Sequence, residues 1–175
     1  MTQANRLKLP SSSARQQAEN KIVWNEARCP HTALFFTIGY TGRPLNEILD
    51  LLESKDIRTL IDIRQYPVSM YRPEMSKNNL KQAIEERDMV YIHVPQLGVP
   101  RDIRAKAIET GTRDIIWQWY DQYVVAHYIK KNLHRFFNAL EHPIALMCVE
   151  TDPQECHRHR LSLAFEAMGV TSFDL

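Results

Sequence analysis

The sequence has little cysteine, almost no net charge and no long apolar run. Three cysteines in 175 residues are too few, and odd in number, for a disulfide framework, which points to a reduced, cytoplasmic setting. With 22 basic against 21 acidic residues the formal net charge is +1, which argues against a bulk polyanion binder and leaves room only for a local basic patch. No apolar stretch approaches transmembrane length, and the first residues lack the apolar core of a signal peptide. A soluble intracellular protein with no membrane partner is expected. The composition, 44% hydrophobic and 25% charged, is ordinary for a globular chain, and the length suits one domain with its own core.

Residues 1–21 are polar, with serines at 11 to 13 and no apolar period, and read as a mobile tail. Residues 22–175 read as a single α/β domain. ALFFTIGY (33–40), RTLIDIR (58–64), VYIHV (90–94) and PIALMCV (143–149) are short apolar runs suited to strands buried on both faces, and TSFDL (171–175) suits a short fifth strand. Between them Leu45, Ile48, Leu49 and Leu52 repeat at helical spacing behind Pro44, and Leu80, Ala83 and Ile84 do so behind Ser76. A long helix is expected from about Asp114 to Leu140, with Leu133, Phe136, Phe137 and Leu140 on one face. A last helix carries Leu161, Ala164, Phe165 and Met168 and stops at Gly169. Strands alternating with helices predict a three-layer sandwich around a mostly parallel sheet of four or five strands, in an order the sequence leaves open.

Open parallel sheets bind ligands beyond the carboxyl ends of their strands, and here those positions are polar. They hold Gly39, Tyr40 and Thr41; Asp62, Arg64 and Tyr66; His93 and the turn Gln96-Leu97-Gly98; then Cys148 and Glu150. Cys156, His157 and Arg158 open the last helix. A thiolate near a helix start and beside Arg158 would have a lowered pKa and become nucleophilic. The same region, with Arg64 and Arg158, could hold a phosphate or carboxylate. Cys156, His157, Glu150 and Tyr40 are therefore the candidate catalytic residues, with Glu150 and His157 for proton transfer and Tyr40 for orientation. Gly39, Thr41, Arg64, His93, Gly98 and Arg158 are the candidate ligand-binding residues. The spacing does not match the phosphate loop of Cys-dependent phosphatases.

Four blocks, TIGYTGR (37–43), DIRQYPVS (62–69), YIHVPQLG (91–98) and the C-x-E-x5-C-H-R run from Cys148 to Arg158, together resemble the family catalogued as domain of unknown function 488, over about residues 35–175. The resemblance implies an α/β fold and one polar site shared by the blocks, and no particular reaction. The family often has two glycines after the leucine of the third block, where this chain has Gly98 followed by Val99 and Pro100.

Each candidate also has a plainer reading. Cys148 lies inside an apolar run and suits a small buried hydrophobe. Arg64 could simply pair with Asp62, and His93 could be a satisfied core histidine. Trp117, Trp119, Tyr120 and Tyr123 suit packing better than base stacking. Cys29 and His31 could join Cys156 and His157 in a zinc set, but nothing brings the pairs together, so no metal ligand is assigned and no cofactor is expected. Two function classes remain. One is an enzyme acting on a phosphorylated small molecule, nucleotide or nucleic-acid end. The other is a non-catalytic module binding an anion or nucleic acid through Arg64, Arg72, Arg101, Arg104 and Arg158. The near-zero charge disfavours broad nucleic-acid binding, and thiol, imidazole and carboxylate together favour the enzyme.

Overall fold

In the computed structural model the described residues are 35–133, 139–167 and 170–175; residues 128–133 are described by their backbone alone. The expected tail, Cys29, His31, His134, Phe136, Phe137, Met168 and Gly169 lie outside them.

Five strands form one sheet in the order β3-β2-β4-β1-β5. They are β1 (Phe35–Gly39), β2 (Thr59–Asp62), β3 (Val90–His93), β4 (Ile144–Cys148) and β5 (Phe173–Asp174), and every pair is parallel. The four longer strands fall within the apolar runs because those runs are bounded by glycine, proline or charge. Among the described residues the α-helices are α1 (Leu45–Ser54), α2 (Lys77–Glu85), α3 (Arg101–Thr110), α4 (Asp114–Tyr120) and α5 (Arg158–Glu166). No helix among the described residues is long and apolar enough to cross a membrane.

The strand pleat divides the core in two. Phe36, Ile38, Leu60, Ala145 and Met147 face α1 and α2, packing on Ile48, Leu49, Leu52, Leu80 and Ile84. Phe35, Ile61, Ile144, Leu146 and Cys148 face α3, α4 and α5, packing on Ile103, Tyr120, Leu161 and Phe165. Helices on both faces of a parallel sheet make the three-layer α/β sandwich.

Two helical expectations differ. The stretch from Asp114 is α-helical only to Tyr120 and continues as a π-helix over Asp121–Leu133. A π-helical turn carries more residues than an α-turn; of the face expected on this helix, Phe136 and Phe137 lie outside the described residues. The second difference is α3, which the apolar spacing did not announce. Only Ile103 and Ala107 are buried on it, while Ile108 is 82% exposed. Pro100 precedes its first turn and Gly111, at φ 68°, ends it in the left-handed region that favours glycine.

The chain leaves β2 toward β3 on one side and leaves β4 toward β5 on the other, so the connections part between β2 and β4, where such sheets usually open a ligand crevice. The ends of β1 and β4 are instead tied together. Thr41 N–H donates to the Val149 carbonyl at 3.0 Å, and the Thr41 hydroxyl donates to the same oxygen at 2.7 Å. The Thr151 hydroxyl donates back to the Thr41 carbonyl at 2.6 Å. A Cβ on Gly39 would sit 1.8 Å from the Glu150 carbonyl oxygen, so only glycine lets the two strand ends meet.

Candidate functional site

The polar residues beyond the strand ends fall into two groups. The first gathers around Arg64. Its guanidinium is 4% exposed and forks onto Asp62, with Nε to Oδ1 at 2.8 Å and Nη2 to Oδ2 at 2.6 Å. Nη2 also donates to the Met75 carbonyl. Burial opposes the arginine's charge, but the bonds and charge of Asp62 outweigh it and hold it firmly protonated. Tyr91 donates to Asp62 at 2.6 Å, and burial together with that carboxylate pushes its own pKa up. His93 Nε2 lies 2.8 Å from the Arg64 carbonyl. Arg64 thus completes an internal network, and Tyr91 is a member that sequence reasoning did not single out. The signal was its place two residues before His93 in the same strand.

A cleft of about 220 Å³ lies over this network, lined by Tyr40, Arg64, Tyr66, Val99, Arg101, Arg104 and Val149, among others. The Arg64 guanidinium carbon is 5.1 Å from the centre of the Tyr40 ring, and that of Arg101 is 4.3 Å from the centre of the Tyr66 ring. Arg101 and Arg104 stand in the first turn of α3; neither forms an ion pair among those of the described residues. Gly98 makes room for this edge, because a Cβ there would meet the Gln65 backbone nitrogen at 2.3 Å. Val99 is buried and Pro100 caps α3, so the departure from two glycines builds the cleft's floor and the helix entry. A second concavity, along Asn78, Lys81, Gln82, Glu85 and Glu86 of α2, is a solvated helix face with none of the candidate residues on it.

The second group sits on the α5 face. β4 alternates Ile144, Leu146 and Cys148 into that core, and the turn Pro153–Glu155 brings the chain back so that Cys156 and His157 meet Cys148. Cys148 Sγ is 3.4 Å from Glu150 Oε2 and 3.7 Å from His157 Nδ1. Cys156 Sγ is 4.0 Å from the same nitrogen. Cys148, Cys156 and His157 are buried and Glu150 is half-buried. Cys156 and His157 precede the helix, which begins at Arg158.

Burial opposes ionisation of both thiols, and their closeness divides them. Cys156 is held well below the usual thiol range, since the bond from Cys148 and the charges of His157 and Arg158 outweigh its burial. Burial and the neighbouring Cys156 push Cys148 well up. Burial, then the charge on Cys156, also raises the Glu150 carboxyl. The pair therefore favours one thiolate on Cys156 over two.

Arg158 belongs to the scaffold of this group. It is 0% exposed and donates to the carbonyls of Glu150 and Thr151 and to Asp174, with Nη2 3.1 Å from Asp174 Oδ1. Thr37 donates to the same carboxylate at 2.5 Å. Arg64 and Arg158 thus lie on opposite faces, each with its charge already answered by an aspartate. A single anion clamp formed by the two does not assemble. Gly39 and Thr41 lie between the groups, where they close the strand ends.

A family model described as domain of unknown function DUF488 matches residues 44–164. The chain belongs to this family. The match takes in three of the four blocks and begins just after TIGYTGR. No curated protein matches the chain, and no solved structure does either.

Proposed function

We propose that this DUF488 domain is an enzyme acting on a phosphorylated small molecule or nucleotide. The cleft beside Tyr40 receives the anionic group, and the Cys148–Glu150–Cys156–His157 cluster carries the reaction. The observation that carries this reading is the cluster itself. Two thiols, an imidazole and a carboxylate converge beyond the end of β4, and holding an anion requires none of them. The cleft supports it with Arg101 and Arg104, whose charges no carboxylate among the described residues answers through an ion pair. Its volume fits a phosphate-sized group and falls short of the roughly 300 Å³ or more of a pocket for a whole small-molecule ligand. The rest of the substrate would then lie against the adjoining segment, where Tyr66, Val68, Met70 and Tyr71 are exposed.

A thermal-shift screen of phosphorylated sugars, nucleotides and inorganic phosphate, followed by turnover assays on the compounds that stabilise the protein, tests the reading. Turnover that vanishes in Cys156→Ser while stabilisation persists supports it. Stabilisation without turnover by any compound favours the other class, a non-catalytic anion-binding module. One observation speaks for that module: Cys156 is only 1% exposed, so its sulfur does not meet a substrate without local rearrangement.

A further inference from the structure

We propose that Cys148, Glu150, Cys156 and His157 form a binding site for a single Zn2+ ion. The inference shares the cluster of the proposed enzyme and deepens that reading by naming what the cluster holds.

Geometry comes first. One ligand atom from each of the four residues lies within 4.8 Å of all the others. Tetrahedral zinc, with Zn–S of about 2.3 Å and Zn–N or Zn–O of about 2.0–2.2 Å, needs ligand atoms about 3.3–3.8 Å apart. The distances here are 3.4 Å from Cys148 to Glu150, 3.7 Å from Cys148 to His157 and 4.0 Å from Cys156 to His157. These three scatter around the edge lengths of that tetrahedron and no pair exceeds 4.8 Å, so an ion at the centre asks the ligand atoms to close up by no more than about 1 Å.

The chemistry of the donor set selects the metal. Two sulfurs and an imidazole are soft-to-borderline ligands, which suit Zn2+ and not the oxygen-seeking Mg2+ or Ca2+. Packing supplies the enclosure: Leu146, Tyr120, Leu161 and Phe165 belong to the same apolar cluster as the two cysteines, and the Tyr120 ring centre lies 5.1 Å from that of His157. Glu150 is the one half-buried member, so the carboxylate marks the side on which the site meets solvent.

The loop is held in place by contacts of its own. Arg158 holds the Glu150 and Thr151 carbonyls, and Asp152 accepts from Gln154 N–H at 2.8 Å. The turn Pro153–Glu155 then sets Cys156 and His157. Such a site is built before the ion arrives. It differs from the pairing of Cys29 and His31 with Cys156 and His157, because β4 and its following turn provide the other two ligands.

The test uses the full chain, purified without a histidine tag or chelator, with metal measured by inductively coupled plasma mass spectrometry. The expected result is about one equivalent of zinc per folded chain. Replacement by Co2+ should produce thiolate-to-cobalt charge-transfer absorption. Cys148→Ser and Cys156→Ser should each lose the zinc and the band, and Cys29→Ser should keep both. Where a serine variant does not fold, the wild-type chain decides: stripped with chelator and retitrated, it should protect two thiols from alkylation for each ion bound. A reduced, folded chain that holds no zinc and gives no cobalt band would overturn the proposal. So would a Cys148–Cys156 disulfide in its place, zinc that persists in the double serine variant, or zinc lost in Cys29→Ser. None of these readouts uses a substrate. Zinc without stabilisation by any phosphorylated compound would sink the enzymatic reading alone, and stabilisation without zinc would sink this one alone.

Discussion

Asp62 faces Arg64 across a two-pronged contact with both partners almost wholly removed from water. Tyr91 adds a third bond to the same carboxylate. Removing one member of such a group leaves a buried charge without its counterpart, a loss of about 3–5 kcal/mol. Asp62→Ala should therefore lower unfolding stability by about that much in urea titration, whereas Tyr91→Phe, which removes one hydrogen bond, should cost about 1 kcal/mol. Equal effects of the two would mean that the ion pair is not what holds this end of β2.

Gly39→Ala should destabilise more than Gly42→Ala, for a different reason. At Gly39 the new methyl would overlap the Glu150 carbonyl, a backbone atom with little freedom to retreat, and would part the ends of β1 and β4. At Gly42 the space is open and only the positive φ of 79° is violated, at about 1 kcal/mol. Chemical denaturation of the two variants decides; the reverse ranking would rule out close approach as the cause.

Asp174 should give the protein a signature in pH. Burial lifts its carboxyl to about 6 in spite of Arg158 and Thr37. An unfolded chain releases this proton near 3.8, so the folded state holds it over the interval between. The associated stability is complete below about pH 4 and is lost as pH rises through about 6, by on the order of 3 kcal/mol. In Asp174→Asn that decline should disappear, measured as the difference in unfolding free energy between the two proteins from pH 4 to 7. Parallel profiles would show that the aspartate ionises alike in both states.

Met70 and Tyr71 are 90% and 99% exposed, and replacing both with serine should change stability by no more than about 0.5 kcal/mol. The same variant should weaken stabilisation by any phosphorylated compound that the cleft accepts, as should Arg101→Gln. Full retention of ligand response in both would show that the ligand sits elsewhere.

The strands were legible in the sequence because each is an apolar run stopped by glycine, proline or charge. Strand order was not legible, since equally apolar strands can occupy any interior place in a parallel sheet. α3 escaped notice because two buried residues give too weak a helical stripe. At the site, position was readable and partnership was not. Arg64 and Arg158 both follow a polar strand end, yet one answers Asp62 nearby in the chain and the other answers Asp174 from the far edge strand. The plainer reading of Arg64, a pairing with Asp62, describes its contact. For Cys148 the matching reading is incomplete: it is buried, but its sulfur touches Glu150 and His157, which no apolar pattern could reveal.

The order β3-β2-β4-β1-β5 also has a kinetic side. β1 finds both its partners late in the chain; the Thr37 and Asp174 side chains that meet across it are 137 residues apart. None of the strands pairs with its neighbour through a tight hairpin, so each contact closes a long loop, and chains of this kind fold slowly. Until that closure, Cys148 on β4 and Cys156 in the turn behind it lack the finished core that buries them. The two lie close in the chain and can meet early, so a nascent chain exposes both sulfurs to oxidation before the sheet shelters them.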